Sequence, residues 1–507
     1  MMSARVLVLG AAGRDFHNFH VALREDPALH VVAFTAAQIP GIEARHYPAA
    51  LAGPRYPAGI PIVPEADLEQ ACRNLGVTEV VLAYSDLSHA DVMHLASRAL
   101  ACGADFRLLG PDRTMVTAGC PVLAISAVRT GCGKSQIARW AADRLAARGH
   151  RVAVLRHPMP YGDLLRQRVQ RFATPGDLDA AACTLEEREE YEPHLAAGHV
   201  VHVGIDTPAV VAAASADGDV LLWEGGNNDF PFVRPDRHLV VVDALRPDQV
   251  SSHHPGEVNI RMADAVVVNK ANAAAEAAVR RAVDTVRALR PDVPVFLGAS
   301  AVTLPPGTDL RGLRVLVVED GPSLTHGGMA TGAGHAAALA AGVAEIVDPR
   351  PYAVGAVREA LARHPHIGAV LPALATPRLN APRWRAASAT PPSTPSSPAR
   401  PSTCRGCSAA PSRWCGRATT SCPWAHPPWR TGWRTFPFTR RLRADARPAA
   451  DTVRQKRSSA PRKRHCPWGR SSSRTRPMRM RLSPVTRRPT SSHMRRIWRL
   501  RPSRRTK

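Results

Sequence analysis

The chain has 507 residues and a formal net charge of +25, a balance that at first suggests a nucleic-acid binder. The distribution excludes a specific nucleic-acid partner for most of it: residues 375–507 hold 33 Lys and Arg against two acids, which leaves 34 basic and 40 acidic residues in 1–374, a net of −6. No apolar run of about 18 residues occurs, so no membrane span is expected, and Cys72, Cys102, Cys120, Cys132 and Cys183 lack paired spacing, as reduced thiols of a cytoplasmic protein would.

The start, MMSARVLVLGAAGR, passes directly into a strand with no signal-peptide pattern. Strand-like runs follow in RVLVLG, VVAFT, EVVLAY, PVLAISA, RVAVLR, DVLLWEG, HLVVVDA, DAVVVNK, VPVFLGAS, LRVLVVED and IGAVLPAL. Helical patterns separate most of them, which predicts an α/β fold with mainly parallel sheets. The loop GPDRTMVTA at 110–118 divides this series. Residues 1–118 read as a Rossmann-like domain for an anionic substrate, and 119–374 as a P-loop NTPase domain.

After Leu374 strand and helix periodicity disappears while Trp, Cys, Pro and Arg rise. A natural disordered tail is usually poor in Trp and Cys. One permitted codon choice for RWCGRATTSCP, read one base earlier, gives PVVRARYDFVP, a good strand. Residues 375–507 are therefore expected to be a basic, frameshifted and disordered tail. The zinc-like spacing of Cys404 and Cys407, with Cys415 and Cys422, is noise on that reading.

Chemistry is concentrated at VRTGCGKSQ, between a strand and a helix. Only two lysines occur in 1–374, Lys134 and Lys270, with arginine supplying the other cations. A compact ammonium is retained where a planar guanidinium would not serve. The turn Arg129, Thr130, Gly131, Cys132, Gly133, Lys134, Ser135 and Gln136 is expected to cradle nucleotide phosphates with its amides and helix start. Lys134 would bridge the β and γ phosphates and Ser135 would bind Mg²⁺. Val128 replaces the usual first glycine, while Arg129 stands where deviant Walker A loops carry a second lysine. The alternative is a purely structural turn.

Glu224, closing the strand DVLLWEGG, is expected to act as a Walker-B-like carboxylate for Mg²⁺ or the nucleophile, or else as a helix cap. Asp243 ends a similar strand. Asn269 and Lys270 in VVVNKAN resemble the base-recognition motif of GTPases, with Asn272 in place of the guanine-reading aspartate. In RHPMPYGD, Arg156 and His157 suit an anionic substrate and Asp163 a second water- or metal-positioning role, with an ordinary loop as the alternative. The turn Gly10 to Arg14 is phosphate-compatible, and the second strand lacks the acid that would hold an NAD ribose. Arg113 lies at the domain junction, and Asp86 and His89 follow the third strand. Glu319, Asp320, Thr325 and His326 mark a glycine-rich loop that either faces substrate or is structural.

The strings GAAGRDFHNF, YSDLSH, LLGP, AVRTGCGKSQ, RHPMPYGDL, EEREEYEPH, EGGNNDFPF, DALRP, VNK and EDGPSLTHGGM, in this order, resemble the cyclic 2,3-diphosphoglycerate synthetase family over about 1–374. The resemblance implies an ATP-dependent ligase that closes 2,3-diphosphoglycerate into its cyclic phosphoanhydride with release of ADP and phosphate. It also implies a deviant Walker A domain behind a Rossmann-like one. Arg14, Arg113, Arg156 and His157 are then the expected substrate clamps, with ATP and Mg²⁺ as cofactors and a small phosphorylated molecule as partner. A homodimer stays open, and a P-loop GTPase/ATPase switch or metallochaperone is the competing class.

Overall fold

The structure, a computed structural model, describes residues 3–36, 45–160, 162–304, 307–319, 321–325 and 327–373. The expected tail at 375–507, its cysteines, and Asp320 and His326 lie outside the described residues. All the described residues belong to one compact unit, Met1–Phe436.

The first sheet is built from β1 (Ala4–Leu9), β2 (Leu29–Ala36), β3 (His46–Tyr47), β4 (Ile60–Pro64), β5 (Glu79–Leu82) and, after the short β6 (Leu87–Ser88), β7 (Asp105–Leu108). Its order is β3-β4-β2-β1-β5-β7, parallel except for β3 against β4. Val6, Leu7, Val8 and Leu9 of β1 are all buried, as a strand covered on both faces must be. The chain runs from β1 to β2 on one side and later reaches β5 on the other. The C-terminal end of β1 is thus a topological switch point, where open α/β sheets bind ligands.

The second sheet holds β8 (Val122–Ala127), β9 (Val152–Arg156), β10 (Gln170–Phe172), β11 (Val200–Val203), β12 (Val220–Glu224), β13 (Arg237–Asp243), β15 (Ala265–Asn269) and β16 (Val295–Leu297), with the two-residue β14 (His253–His254) lying outside it. Its order is β10-β11-β9-β12-β8-β13-β15-β16, and only β10 is antiparallel. β14 pairs with β6, joining a loop of the first sheet to one of the second. Among the described residues no helix is long and apolar enough to cross a membrane.

The runs LRVLVVED and IGAVLPAL, read as strands, stand outside the large sheet. They yield β17 (Arg314–Val315), β18 (Val318–Glu319) and β20 (Leu371–Pro372); β17 pairs with β19 (Glu345–Ile346) and β18 with β20. Val315, Val317, Ile367 and Val370 bury themselves with Leu324, Ala338 and Leu361 in a small separate core. That core, more than strand pairing, satisfies these apolar runs. β4, β7, β10 and β11 were not foreseen. Proline interrupts IPIVP, and β7 and β10 are short edge strands rich in polar residues.

Candidate active site

β8 leads into the glycine turn, and helix Lys134–Ala146 leaves it. Gly133, the residue before the helix, has φ +94°, and a methyl there would overlap the Asn269 amide. Only glycine meets both demands. The turn is braced through its carbonyls, and of its amides Thr130 N is already held by Asp86. Arg246 Nη2 donates to Thr130 O (2.7 Å), Lys270 Nζ to Gly131 O (2.6 Å), and Asn269 Nδ2 to Cys132 O (2.9 Å). Asn228 Nδ2 holds Val128 O at 2.9 Å. Asp243 accepts from both Arg246 (3.0 Å) and Lys270 (2.7 Å), anchoring the braces. The Cys132 thiol is buried, which pushes its pKa up to about 11.

Lys134 reaches Glu224 Oε1 at 3.4 Å, where Arg156 Nη1 also lies at 2.5 Å. Glu224 Oε2 accepts from His194 Nε2 at 2.8 Å. Burial works against the charge of Glu224, but Arg156, Lys134 and His194 outweigh it and hold its pKa well below the usual range. Burial likewise lowers Lys134 to about 8, against the pull of Glu224. His194 also faces His199 (3.4 Å), which reaches Asp143 at 3.3 Å.

Two loops of the first sheet close over this region. Asp86 takes Arg129 Nε at 2.8 Å and the Thr130 amide at 3.3 Å, and Arg129 also donates to His253. Arg14 donates to Asp229 Oδ1 (2.8 Å) and to the Phe230 carbonyl, with its guanidinium 3.9 Å from the Phe230 ring centroid. Asp229 Oδ2 lies 3.0 Å from His157 Nε2. Arg14 and His157 hold the Asp229 pKa low despite its burial.

These contacts revise several expectations. The turn Gly10 to Arg14 already spends two of its amides within the chain, Gly10 N on Thr35 Oγ1 and Ala12 N on Asp15. Asp15 Oδ1 accepts from Ala12 N (2.6 Å) and Phe16 N (2.9 Å), so the chain fills the anion position with its own carboxylate. Arg14 and Arg156 are not free clamps: Asp229 holds the first, Glu224 and Glu190 the second. Arg113 is exposed on the short helix Pro111–Thr114. Asp163 is exposed and closes a local turn by accepting from Leu165 N at 2.9 Å. Asn269 and Lys270 meet the phosphate turn itself, and Asn272 exchanges hydrogen bonds with the Ser300 backbone (2.8 and 3.3 Å). Ser300 Oγ in turn donates to Gln136 Oε1 at 3.1 Å. Glu319 spends its carboxylate on the amides of Gly332, Gly334 and His335 and is structural.

Mg²⁺ commonly accompanies nucleotides at such loops. Ser135 fits it: its hydroxyl has no hydrogen-bond partner among the described residues and stands at the helix start. Glu224 does not fit as a direct ligand, because cations and His194 occupy both its oxygens. No cluster of metal-ligating side chains occurs among the described residues. Asp229, Asp15, Arg246, Asn228 and His194 were not foreseen as site residues, although all five lie within the strings GAAGRDFHNF, EEREEYEPH, EGGNNDFPF and DALRP.

The braced glycine turn, its lysine and the parallel sheet behind it define a P-loop nucleotide-binding α/β protein. The chain is 52% identical to arginine synthetase ArcE of Thermococcus kodakarensis over 370 residues, 73% of this chain and 83% of that one. It belongs to that protein's family. It is 28% identical over 297 residues to a cyclic 2,3-diphosphoglycerate synthetase of Rubrobacter xylanophilus, 52% of this chain and 66% of that one. No family model matches the chain. Among solved structures, LpxK of Aquifex aeolicus in complex with ATP is 15% identical, covering 46% of this chain and 72% of that one. Its TM-score of 0.30 is too low to bear on fold or function.

Proposed function

We propose that the chain is an ATP-dependent synthetase that joins nitrogen to an amino-acid-sized substrate and forms the guanidinium of arginine. One observation carries the choice of substrate class. The cations around the phosphate turn already face carboxylates: Arg14 on Asp229, Arg129 on Asp86, Lys134 and Arg156 on Glu224, Arg246 and Lys270 on Asp243. A substrate with two phosphates and a carboxylate would meet these acids without matching cations. Each like-charge contact at about 4 Å costs about 4 kcal/mol at an effective dielectric of 20. A zwitterionic amino acid brings no such excess. The 52% identity to an arginine synthetase supports the same choice.

The chemistry follows from what a guanidinium requires. A ureido oxygen is a poor leaving group until a phosphoryl group is placed on it. The turn amides, the start of helix Lys134–Ala146 and Lys134 suit transfer of the γ-phosphoryl by stabilising its developing charge. Glu224 holds Lys134 beside Arg156, so an arriving phosphate exchanges one anionic partner for another. Mg²⁺, through Ser135, would supply charge neutralisation at the nucleotide.

The test incubates the purified protein with ATP and Mg²⁺, once with a ureido amino acid and ammonium and once with 2,3-diphosphoglycerate. ADP release is followed, and products are read by mass spectrometry and phosphorus NMR. Arginine with ADP and phosphate is expected. Formation of cyclic 2,3-diphosphoglycerate instead would replace this reading with the ligase implied by the sequence resemblance.

A further inference from the structure

We propose that His157, oriented by Asp229, is the catalytic base that takes a proton from the nitrogen nucleophile, an inference that rests on the synthetase reading above. His157 follows Arg156 at the C-terminal end of β9, and its backbone N–H meets Glu224 O at 3.4 Å. It therefore stands one residue from a guanidinium that shares Glu224 with Lys134. The backbone gives up side chains to admit the ring. A methyl on Gly13 would overlap the imidazole, and one on Gly226 would lie 2.8 Å from its Cγ. The Phe232 ring centroid is 5.3 Å away.

Asp229 fixes which nitrogen does the chemistry. Its carboxylate is 2% exposed and accepts from Nε2, while its other oxygen is held by Arg14. A buried carboxylate facing Nε2 keeps the ring proton there and leaves the lone pair on Nδ1. Nδ1 has no hydrogen-bond partner among the described residues. The neighbouring titratable groups cannot replace it. His17 is stacked on Phe232, with Thr207 and Thr114 on its two nitrogens, and Asp15 is spent on backbone amides. Burial and then the Arg14 charge lower the His254 pKa to about 4, which makes it a weak base.

The step balances as follows. His157 Nδ1 takes a proton from ammonium, and the nitrogen lone pair this frees forms the new C–N bond. The C–O bond to the phosphate breaks with its electron pair leaving on orthophosphate, the imidazolium passes its proton to that orthophosphate or to water, and the three hydrogens left on the nitrogen are shared within the guanidinium. Asp229 stabilises the imidazolium between these events, as the orienting acid does in other His–Asp pairs.

The test compares ammonium with hydroxylamine, which is already neutral at pH 7 and needs less help from a base. His157→Gln keeps a donor toward Asp229 and removes the base. With ammonium we expect product formation to fall by about 100-fold or more; with hydroxylamine we expect a loss below about 10-fold. Asp229→Asn should show the same split, and both variants should bind ATP with wild-type affinity, which reports an intact fold. Equal losses with the two nucleophiles, or no loss with ammonium, would overturn the assignment. Failure of the wild type to join either nucleophile would overturn the synthetase reading itself, a result visible before any variant is made.

Discussion

Lys134 is placed to serve turnover at the expense of stability, and the two effects can be separated. Burial lowers its pKa from 10.5 to about 8 even though Glu224 lies 3.4 Å away. The folded chain thus binds this proton less tightly than the unfolded chain. At pH 7 the group is charged in both states and the full penalty applies, about 3 kcal/mol for a shift of this size. As pH rises from 8 through 10.5 the penalty fades. Lys134→Met removes the charge and keeps a similar apolar stem, while Arg156 and His194 continue to hold Glu224. Urea denaturation should show the variant about 3 kcal/mol more stable at pH 7, with the gap closing toward pH 10.5. Its nucleotide turnover should fall by about 100- to 1,000-fold, as when a stabilising donor is lost from a reacting centre. A variant less stable than wild type at pH 7 would make Lys134 a structural cation, and retained turnover would detach it from the phosphate.

Gly133→Ala should lose about 1–2 kcal/mol from its positive φ and raise the KM for ATP, because the new methyl pushes Asn269 off the turn; unchanged denaturation and kinetics would count against the bracing scheme. The wild type should use ATP at least as well as GTP, and Asn272→Asp should move the ratio toward GTP, since only one of its two bonds to Ser300 needs the amide N–H. An unmoved ratio would take this loop away from the base. Burial raises Asp15 to about 7 despite its bonds to the Ala12 and Phe16 amides. The fold therefore favours its protonated form, and wild-type stability should drop as pH rises from about 4 through 7. Asp15→Asn should flatten that decline in urea denaturation, and an unaltered slope would refute it. Sequencing the encoding DNA around codon 375 should reveal a one-base shift, and peptides confirming the frame of 375–507 would end that reading.

What could be read from sequence divides by distance along the chain. The phosphate turn was legible because strand, glycines, lysine and helix are consecutive, and local backbone geometry fixes their relation. The buried strands β1, β8, β13 and β15 were legible for a similar reason, since continuous β-branched runs have few other solutions. Edge strands such as β7 and β10 carry Asp, Arg and Gln, and only their neighbours make them strands. LRVLVVED shows the opposite error, an apolar run whose burial is satisfied by a small local core with little strand pairing.

The site was less legible because its meaning lies in pairings that sequence order hides. Arg14 and Asp229 are 215 residues apart, and Lys134 and Glu224 are 90 apart. Read singly, Arg14 and Arg156 look like clamps for a highly charged anion. Joined to Asp229 and Glu224, they are already neutralised within the fold. The same carboxylate that holds Arg14 also lies 3.0 Å from His157 Nε2, so one acid partners both groups. By residue type this region is rich in cations suited to phosphate; by contact, Arg14, Arg129, Lys134, Arg156, Arg246 and Lys270 each already face a carboxylate, which is the basis of the nearly neutral substrate we propose.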